Sequence, residues 1–317
     1  MDQGGEDFAS LVLDHGLGPV WHQRTEREEF HESRLRAEVL FAAQDKALEE
    51  VDRALNEAGI EYAVIKGTAN RLVLYENPAL RVCYDADLLV HPTDRLPAAK
   101  ALLNIGFCPQ PYPRTIGHQV VLSRTDLDID LHWRLLRDGR LRLEETADIL
   151  GRRVRTHGIW MLSTEDTLYL FLVHPAFAKH LAARNLGLHR VLDILHFLRA
   201  EPADWPRVKA RLESSGVTAA AWATLLWVAL LAPNRLQPGL DSLLSDLRPG
   251  PLRRAWIELW LRNNWSQKTE DLHWLRLVAF SPFLHDSMAD IWRALSGRLR
   301  ALRRSSSDLE AFEQISE

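Results

Sequence analysis

The sequence predicts an α+β protein: a small mixed sheet carrying helices, followed by a helical C-terminal half. Three observations carry that reading. Between Tyr62 and Trp133, β-prone runs alternate with helical stretches. From Leu141 onward, apolar residues recur almost wholly at helical spacing. Ahead of both lies a charged segment, Arg34 to Ala58, with the spacing of a surface helix.

The elements follow in order. Residues 1–58 read as an N-terminal helical segment. Its Glu/Lys/Arg-rich stretch places Val39, Leu40, Ala43, Leu48, Val51 and Leu55 on one stripe, and Gly59 stops it. Residues 59–140 read as the α/β core. Tyr62-Ala63-Val64-Ile65 is a short strand ending at Lys66-Gly67-Thr68; a helical stretch runs to Tyr75, and Asn77-Pro78 make a turn. Asp85 to Val90 is a second strand, and His91-Pro92-Thr93-Asp94 supply turn and cap residues for a helix ending near Gly106. Val120 to Leu122 and Leu127 to Trp133 complete about four strands. Residues 141–240 read as a helical domain lining a cleft, with helices at Leu168–Phe177, Leu188–Leu198, Trp205–Leu212 and Ala219–Leu231. Past the joint Arg248-Pro249-Gly250-Pro251, residues 241–304 hold further helices through Trp256, Trp260 and Trp274, and the polar tail 305–317 is expected to fray.

Composition narrows the function classes. At 317 residues the chain suffices for one large or two modest domains. A net charge of -4 gives no global basic field, which argues against a long nucleic-acid footprint but leaves room for a nucleotide. Cys83 and Cys108 are too few for a disulfide scaffold and match no zinc spacing. The start, Met1-Asp2-Gln3-Gly4-Gly5-Glu6-Asp7, lacks the basic and apolar regions of a signal peptide. The run Val217 to Ala232 contains two threonines and is too short and mixed for a membrane span. A cytoplasmic location without membrane partners is expected by elimination.

The chemistry lies in two alternating strands. In Asp85-Ala86-Asp87-Leu88-Leu89-Val90, a period of two puts Asp85 and Asp87 on one face. In Leu127-Asp128-Ile129-Asp130-Leu131-His132-Trp133, Asp128, Asp130 and His132 share one face and the apolar residues the other. If these strands are neighbours, three or four carboxylates converge, raise one another's pKa, and call for a hard divalent cation. Two such ions bridging carboxylates to phosphates serve in-line displacement. The alternative is a polar strand face turned to water, although Asp is a poor strand former.

Lys66-Gly67-Thr68, Tyr75 with Pro78, Arg81 to Val90, Gly106-Phe107 and Asp130-Leu131-His132-Trp133 occur in that order. Together they resemble an uncharacterised nucleotidyltransferase family of the DNA polymerase β-like superfamily, often encoded beside peptide natural-product and capsule clusters. The likeness to abortive-infection toxin nucleotidyltransferases is more distant. The resemblance runs from about residue 36 to 230 and includes Leu162-Ser163-Thr164-Glu165-Asp166, His174 and Asp193. It implies a polymerase β-like core and transfer of a nucleoside monophosphate from an NTP to an acceptor hydroxyl, with release of pyrophosphate. Gly67-Thr68 would be the turn whose amides hold triphosphate oxygens. Asp85 and Asp87 would bind magnesium, or manganese in its place, and Asp130 would be the third acid, binding the second metal and helping to activate the hydroxyl. This chain departs from the best-studied members in a longer stretch between Gly67 and Asp85 and in Thr68 at a position commonly held by a smaller residue.

The remaining candidates each have two readings. Lys66 is a triphosphate contact or an exposed strand end. Arg81 neutralises phosphate or makes a structural ion pair. His132 orients Asp130 or the acceptor, or fills space beside Trp133. Asp193, between Leu192 and Ile194, faces nucleotide or pairs internally with His189 or Arg190. Asp128 is a fourth site acid or solvated, His174 a site or core residue, and the tryptophans core or, in one instance, a base-stacking platform. The acceptor is a small molecule, peptide, protein or tRNA, with tRNA disfavoured by the acidity. Two rivals stand beside this reading: a toxin-like enzyme acting on tRNA or protein, and a non-catalytic accessory protein that binds a peptide or partner.

Overall fold

The computed structural model describes residues 3–110, 118–182, 187–200, 203–232, 238–269 and 271–314. The chain forms two compact units: Met1–Leu135, Glu145–Ser163 and Leu302–Glu317 make the first, and Leu136–Glu144 and Thr164–Ala301 the second.

The first unit is built on a sheet. Its helices are α1 (Gln3–Asp14), α2 (Gly18–Thr25), α3 (His31–Glu57), α4 (Lys66–Leu74), α5 (Arg95–Asn104) and α6 (Thr146–Gly151). Its strands are β1 (Tyr62–Ile65), β2 (Asp85–Val90), β3 (Cys108–Pro109), β4 (Gln119–Arg124), β5 (Leu127–His132), β6 (Val154–Thr156) and β7 (Ile159–Met161), in the order β3-β4-β5-β2-β1-β7-β6. The β2–β5 and β1–β7 pairs are parallel; the others are antiparallel.

Strand alternation divides the sheet into an apolar and a polar face. Tyr62, Val64, Ala86, Leu88, Val90, Val120, Leu122, Ile129 and Leu131 enter one buried cluster with Ala47, Leu48, Val51 and Leu55 of α3 and Ala98, Ala99 and Leu102 of α5. Leu48, Val51 and Leu55 lie on the stripe that the sequence spacing specifies, whereas Val39 and Ala43, expected on it, are exposed, and Ala37, Gln44 and Ala47 complete the buried face. The odd-numbered residues of β2 and the even-numbered residues of β5 therefore turn to the opposite face. Truncating a buried member such as Leu131 to Ala is expected to cost about 2–5 kcal/mol, and that burial fixes which way the acids point.

The sheet has more strands than the sequence suggests. The hairpin β6–β7 lies in a stretch that reads as helical, and it adds to β1 through the Val64–Met161 pairing. Its strands are three residues long, too short to show a period, and the turn between them has φ of 51° at His157 and 78° at Gly158. Positive φ at both central residues suits the twist of a tight hairpin. Cys108–Pro109 is the other strand without a sequence signal.

The second unit is helical: α7 (Thr164–Lys179), α8 (His189–Ala200), α9 (Trp205–Ser215), α10 (Thr218–Leu231), α11 (Pro238–Asp246), α12 (Pro251–Arg262) and most of α13 (Met288–Gln314). α10 is the apolar run seen in sequence, buried from Ala219 to Val228. Asp286 caps it, accepting from the amides of Thr218 (3.0 Å) and Ala219 (2.9 Å) and from Thr218 Oγ1 (2.8 Å). Among the described residues no helix is long and apolar enough to cross a membrane. Trp256, Trp260 and Trp265 cluster with Phe280 and Phe283, and the Trp256 and Trp260 indoles donate to Ala279 O and Ser266 Oγ. α13 continues to Gln314, through the Ser-rich tail that reads as frayed. Phe312 gives the reason: it is buried and stacks on Trp133 with centroids 5.8 Å apart, anchoring the end of the helix.

Candidate active site

The site sits on the polar face of the sheet, where β1, β2, β5 and β4 lie side by side. The parallel β2–β5 register sets Asp85 opposite Asp128 and Asp87 opposite Asp130. In the antiparallel β1–β2 pairing Ile65 faces Asp87, so the residues after β1 leave the sheet beside that acid. In β4, Val121 pairs with Asp130 and Gln119 with His132.

Lys66 begins α4 with a left-handed backbone, φ 58°, which turns the chain sharply from strand to helix. Its ammonium lies 2.5 Å from Asp87 Oδ1 and 3.1 Å from His132 Nε2. His132 Nε2 lies 2.8 Å from the same Asp87 oxygen. We assign the ring proton to Nε2, donating to Asp87, since the carboxylate is the stronger acceptor; His132 Nδ1 is then a bare lone pair, buried and unpaired. Gln119 Nε2 donates to Asp130 Oδ2 at 3.0 Å.

The electrostatics follow from this packing. Burial alone would push the Asp87 carboxyl up, but the Lys66 charge and the His132 hydrogen bond outweigh it and hold the group well below the usual carboxylate range. Burial and the charges of Asp87 and Asp85 push Asp130 up to about 6, against the smaller opposing effects of Lys66 and Gln119. Burial and the Lys66 charge pull His132 down to about 4, so its imidazole is neutral near pH 7. One donor atom each of Asp87, Asp130 and His132 lie within 4.8 Å of one another. The carboxylate oxygens of Asp87 and Asp130 in that space, with the His132 imidazole beside them, fit a divalent cation.

The glycine turn is built into the same corner. Thr68 is buried, and its Oγ1 donates to Asp85 O at 2.8 Å, tying the start of α4 to the start of β2. Gly67 fits closely: a Cβ there would lie 3.1 Å from Cys83 Sγ and 3.3 Å from Arg81 Nη2, so a larger residue would have to move one of these side chains. Arg81 is buried behind the turn, and its Nη1 donates to Val82 O at 2.6 Å. Beneath it, Gln44 donates to Cys83 O (3.0 Å) and accepts from Arg71 Nη1 (2.7 Å), while the Arg71 guanidinium lies 4.8 Å from the Phe41 ring centre.

A family of proteins described as uncharacterised nucleotidyltransferases has a model that matches residues 12–233, well over half of the chain. The chain belongs to that family. No curated protein matches it. Within this family member, the residues singled out in the sequence divide into two groups. The structure brings Asp87, Asp130, His132, Lys66, Gly67, Thr68 and Arg81 together around one corner of the sheet. Asp85 lies on the same face, exposed at the start of β2, and acts on Asp130 through its charge; it is outside the close donor group. Asp128 is half-buried opposite it.

Asp193 and His174 belong to the helical unit, Asp193 buried in α8 and His174 half-buried in α7. Sequence reasoning passed over Gln119 and Gln44. Gln44 had a signal, a polar residue on the apolar stripe of α3; Gln119 had none, because only strand pairing brings it to Asp130.

Proposed function

We propose that this nucleotidyltransferase moves a nucleoside monophosphate from an NTP to an acceptor hydroxyl, with magnesium or manganese held by Asp87, Asp130 and Asp85. The observation that carries the reading is the β2–β5 register, which sets Asp87 beside Asp130 next to the Lys66-Gly67-Thr68 turn. Free amides at the start of α4 and the positive end of its dipole favour triphosphate oxygens. Lys66 is within reach to contribute a point charge there once Asp87 has another cation to satisfy it.

In the reaction the acceptor oxygen bonds to the α-phosphorus, the bond from that phosphorus to the α–β bridging oxygen breaks, and pyrophosphate leaves. Asp130 is positioned to take the hydroxyl proton, with Gln119 holding one of its oxygens in place. The divalent cation, when bound, supplies charge neutralisation for the phosphates. Asp87, kept ionised by Lys66 and His132, presents a fixed negative charge to it.

The test is incubation of purified protein with each α-labelled NTP and Mg²⁺ or Mn²⁺ in cell lysate. A labelled product that depends on Asp87 and Asp130 supports the reading. Absence of label with all four NTPs, together with no NTP effect on melting temperature, overturns it and favours a binding role for the fold.

A further inference from the structure

The helical unit carries a group of cations with no matching anion among the described residues. Segment 136–144 crosses α13 where Gly139 meets Gly297. A Cβ on Gly297 would lie 2.8 Å from Gly139 N, and one on Gly139 3.2 Å from Ala294 Cα, so glycine is needed on both sides of the crossing. At this crossing Arg298, next to Gly297, and Arg137 and Arg140, which flank Asp138-Gly139, are near enough for the Arg298 charge to act on both of the others.

None of the three is paired with a carboxylate among the described residues. Arg140 is half-buried; its Nη1 donates to Ser281 Oγ (2.6 Å) and to His285 Nε2 (3.1 Å), and its guanidinium lies 5.0 Å from the Phe177 ring centre. All of these are neutral partners, since burial and the nearby arginines pull His285 down to about 3. Arg137 is half-buried, and Arg298 is exposed. Two nearby carboxylates are committed elsewhere: Asp290 to Arg142, Arg293 and Ser287, and Asp286 to the start of α10. Burial with the Arg298 charge depresses the Arg137 guanidinium, and burial with both neighbours brings Arg140 down to about 10, still charged near pH 7. Half-buried like charges held together without a counter-ion are costly unless an anion joins them.

We propose that Arg137, Arg140 and Arg298 form an oxyanion subsite that takes a phosphate group. Planar guanidinium forks match phosphate oxygens in pairs, and three of them exceed what one carboxylate needs. The Ser281 and His285 contacts leave the other Arg140 nitrogens available to such a ligand. The subsite goes beyond nucleotidyl transfer and does not rest on it.

The experiment titrates metal-free, full-length protein with inorganic phosphate and, in a separate arm, with dimethyl phosphate, by calorimetry and thermal melting. The first arm reports a phosphate monoester or free phosphate as source, the second a phosphodiester. Binding in at least one arm is expected, with R137Q and R298Q each weakening it roughly tenfold. Without ligand, R298Q is expected to melt no lower than the native protein, because it removes repulsion. No response in either arm up to about 10 mM overturns the proposal, since even a weak specific site binds in the millimolar range. Equal binding by native protein and the R137Q/R298Q double variant overturns it too, as does a lower melting point for R298Q with binding unchanged. No arm requires NTP or turnover, so failure of nucleotidyl transfer leaves the result readable.

Discussion

The Lys66 ammonium rests 2.5 Å from Asp87 Oδ1, so a lysine from the glycine turn serves as counter-ion to the carboxylate at the centre of the acidic face. Both side chains are about nine-tenths buried, and breaking such a pair leaves an uncompensated charge costing about 3–5 kcal/mol. K66Q should therefore lower the melting temperature of the metal-free protein by several degrees. Because Mn²⁺ takes over the vacated role, it should raise the melting temperature of K66Q more than that of the native chain. Equal Mn²⁺ shifts in the two proteins would show that Lys66 does not compete with a cation.

Asp87 and Asp130 are register partners on adjacent strands, and their chemistry is separable from their packing. D87N and D130N keep shape and volume and remove charge. Each should lower nucleotidyl transfer by at least roughly 10²–10³-fold, the scale of losing one electrostatic contact to a transition state. D85N, exposed at the strand start, should lose activity too while leaving the fold more stable than D87N does. Circular dichroism with a labelled-NTP assay reads both effects; full activity in any variant removes that residue from the site.

Strand alternation made much of this site legible in the sequence. The period of two in Leu127 to Trp133 separates acids from apolar residues without any knowledge of neighbours. It cannot say which strand lies next to which, so the Asp87–Asp130 pairing required the fold. Lys66 looks like an ordinary strand end until its positive φ is seen to swing the side chain back over Asp87. His132 was visible as a face-mate of Asp130, yet its hydrogen bond goes to Asp87, a partner only the parallel pairing supplies. The β6–β7 hairpin stayed hidden because three residues cannot display a period.

Phe312 stood in a stretch whose composition predicts fraying, and its stack on Trp133 makes it a structural residue of the sheet unit. Burial of an aromatic ring is worth several kcal/mol, so F312A should destabilise the chain by about 3–5 kcal/mol. Urea denaturation reads this directly. A loss below about 1 kcal/mol, the scale of a surface substitution, would mean that the helix end does not dock in solution.

The closeness of Gly67 to Cys83 and Arg81 predicts a binding defect. In G67A the new methyl must displace the Cys83 sulfur or the Arg81 fork, costing about 1–3 kcal/mol of stability. The larger effect should be on NTP affinity, because the turn that would receive the triphosphate moves. KM for NTP is expected to rise about tenfold or more, with kcat changed less. A fall in kcat at constant KM would instead assign the turn to the chemical step.

The Asp130 carboxyl, pushed up to about 6, predicts how cation affinity depends on pH. In the metal-free protein the proton on Asp130 favours the folded state, since the folded value lies above the ordinary carboxylate value; that contribution is present at low pH and is lost as pH rises through about 6. A divalent cation must displace the same proton below that point. The Kd for Mn²⁺ should be nearly constant above about pH 7 and weaken toward tenfold per unit below about pH 6. His132, pulled down to about 4, carries no extra proton in this range and adds nothing to the slope. D130N should bind weakly at every pH, with the slope gone. A Kd for the native protein that stays flat from about pH 7.5 to about pH 5 would show that Asp130 is already ionised, or lies outside the cation's reach.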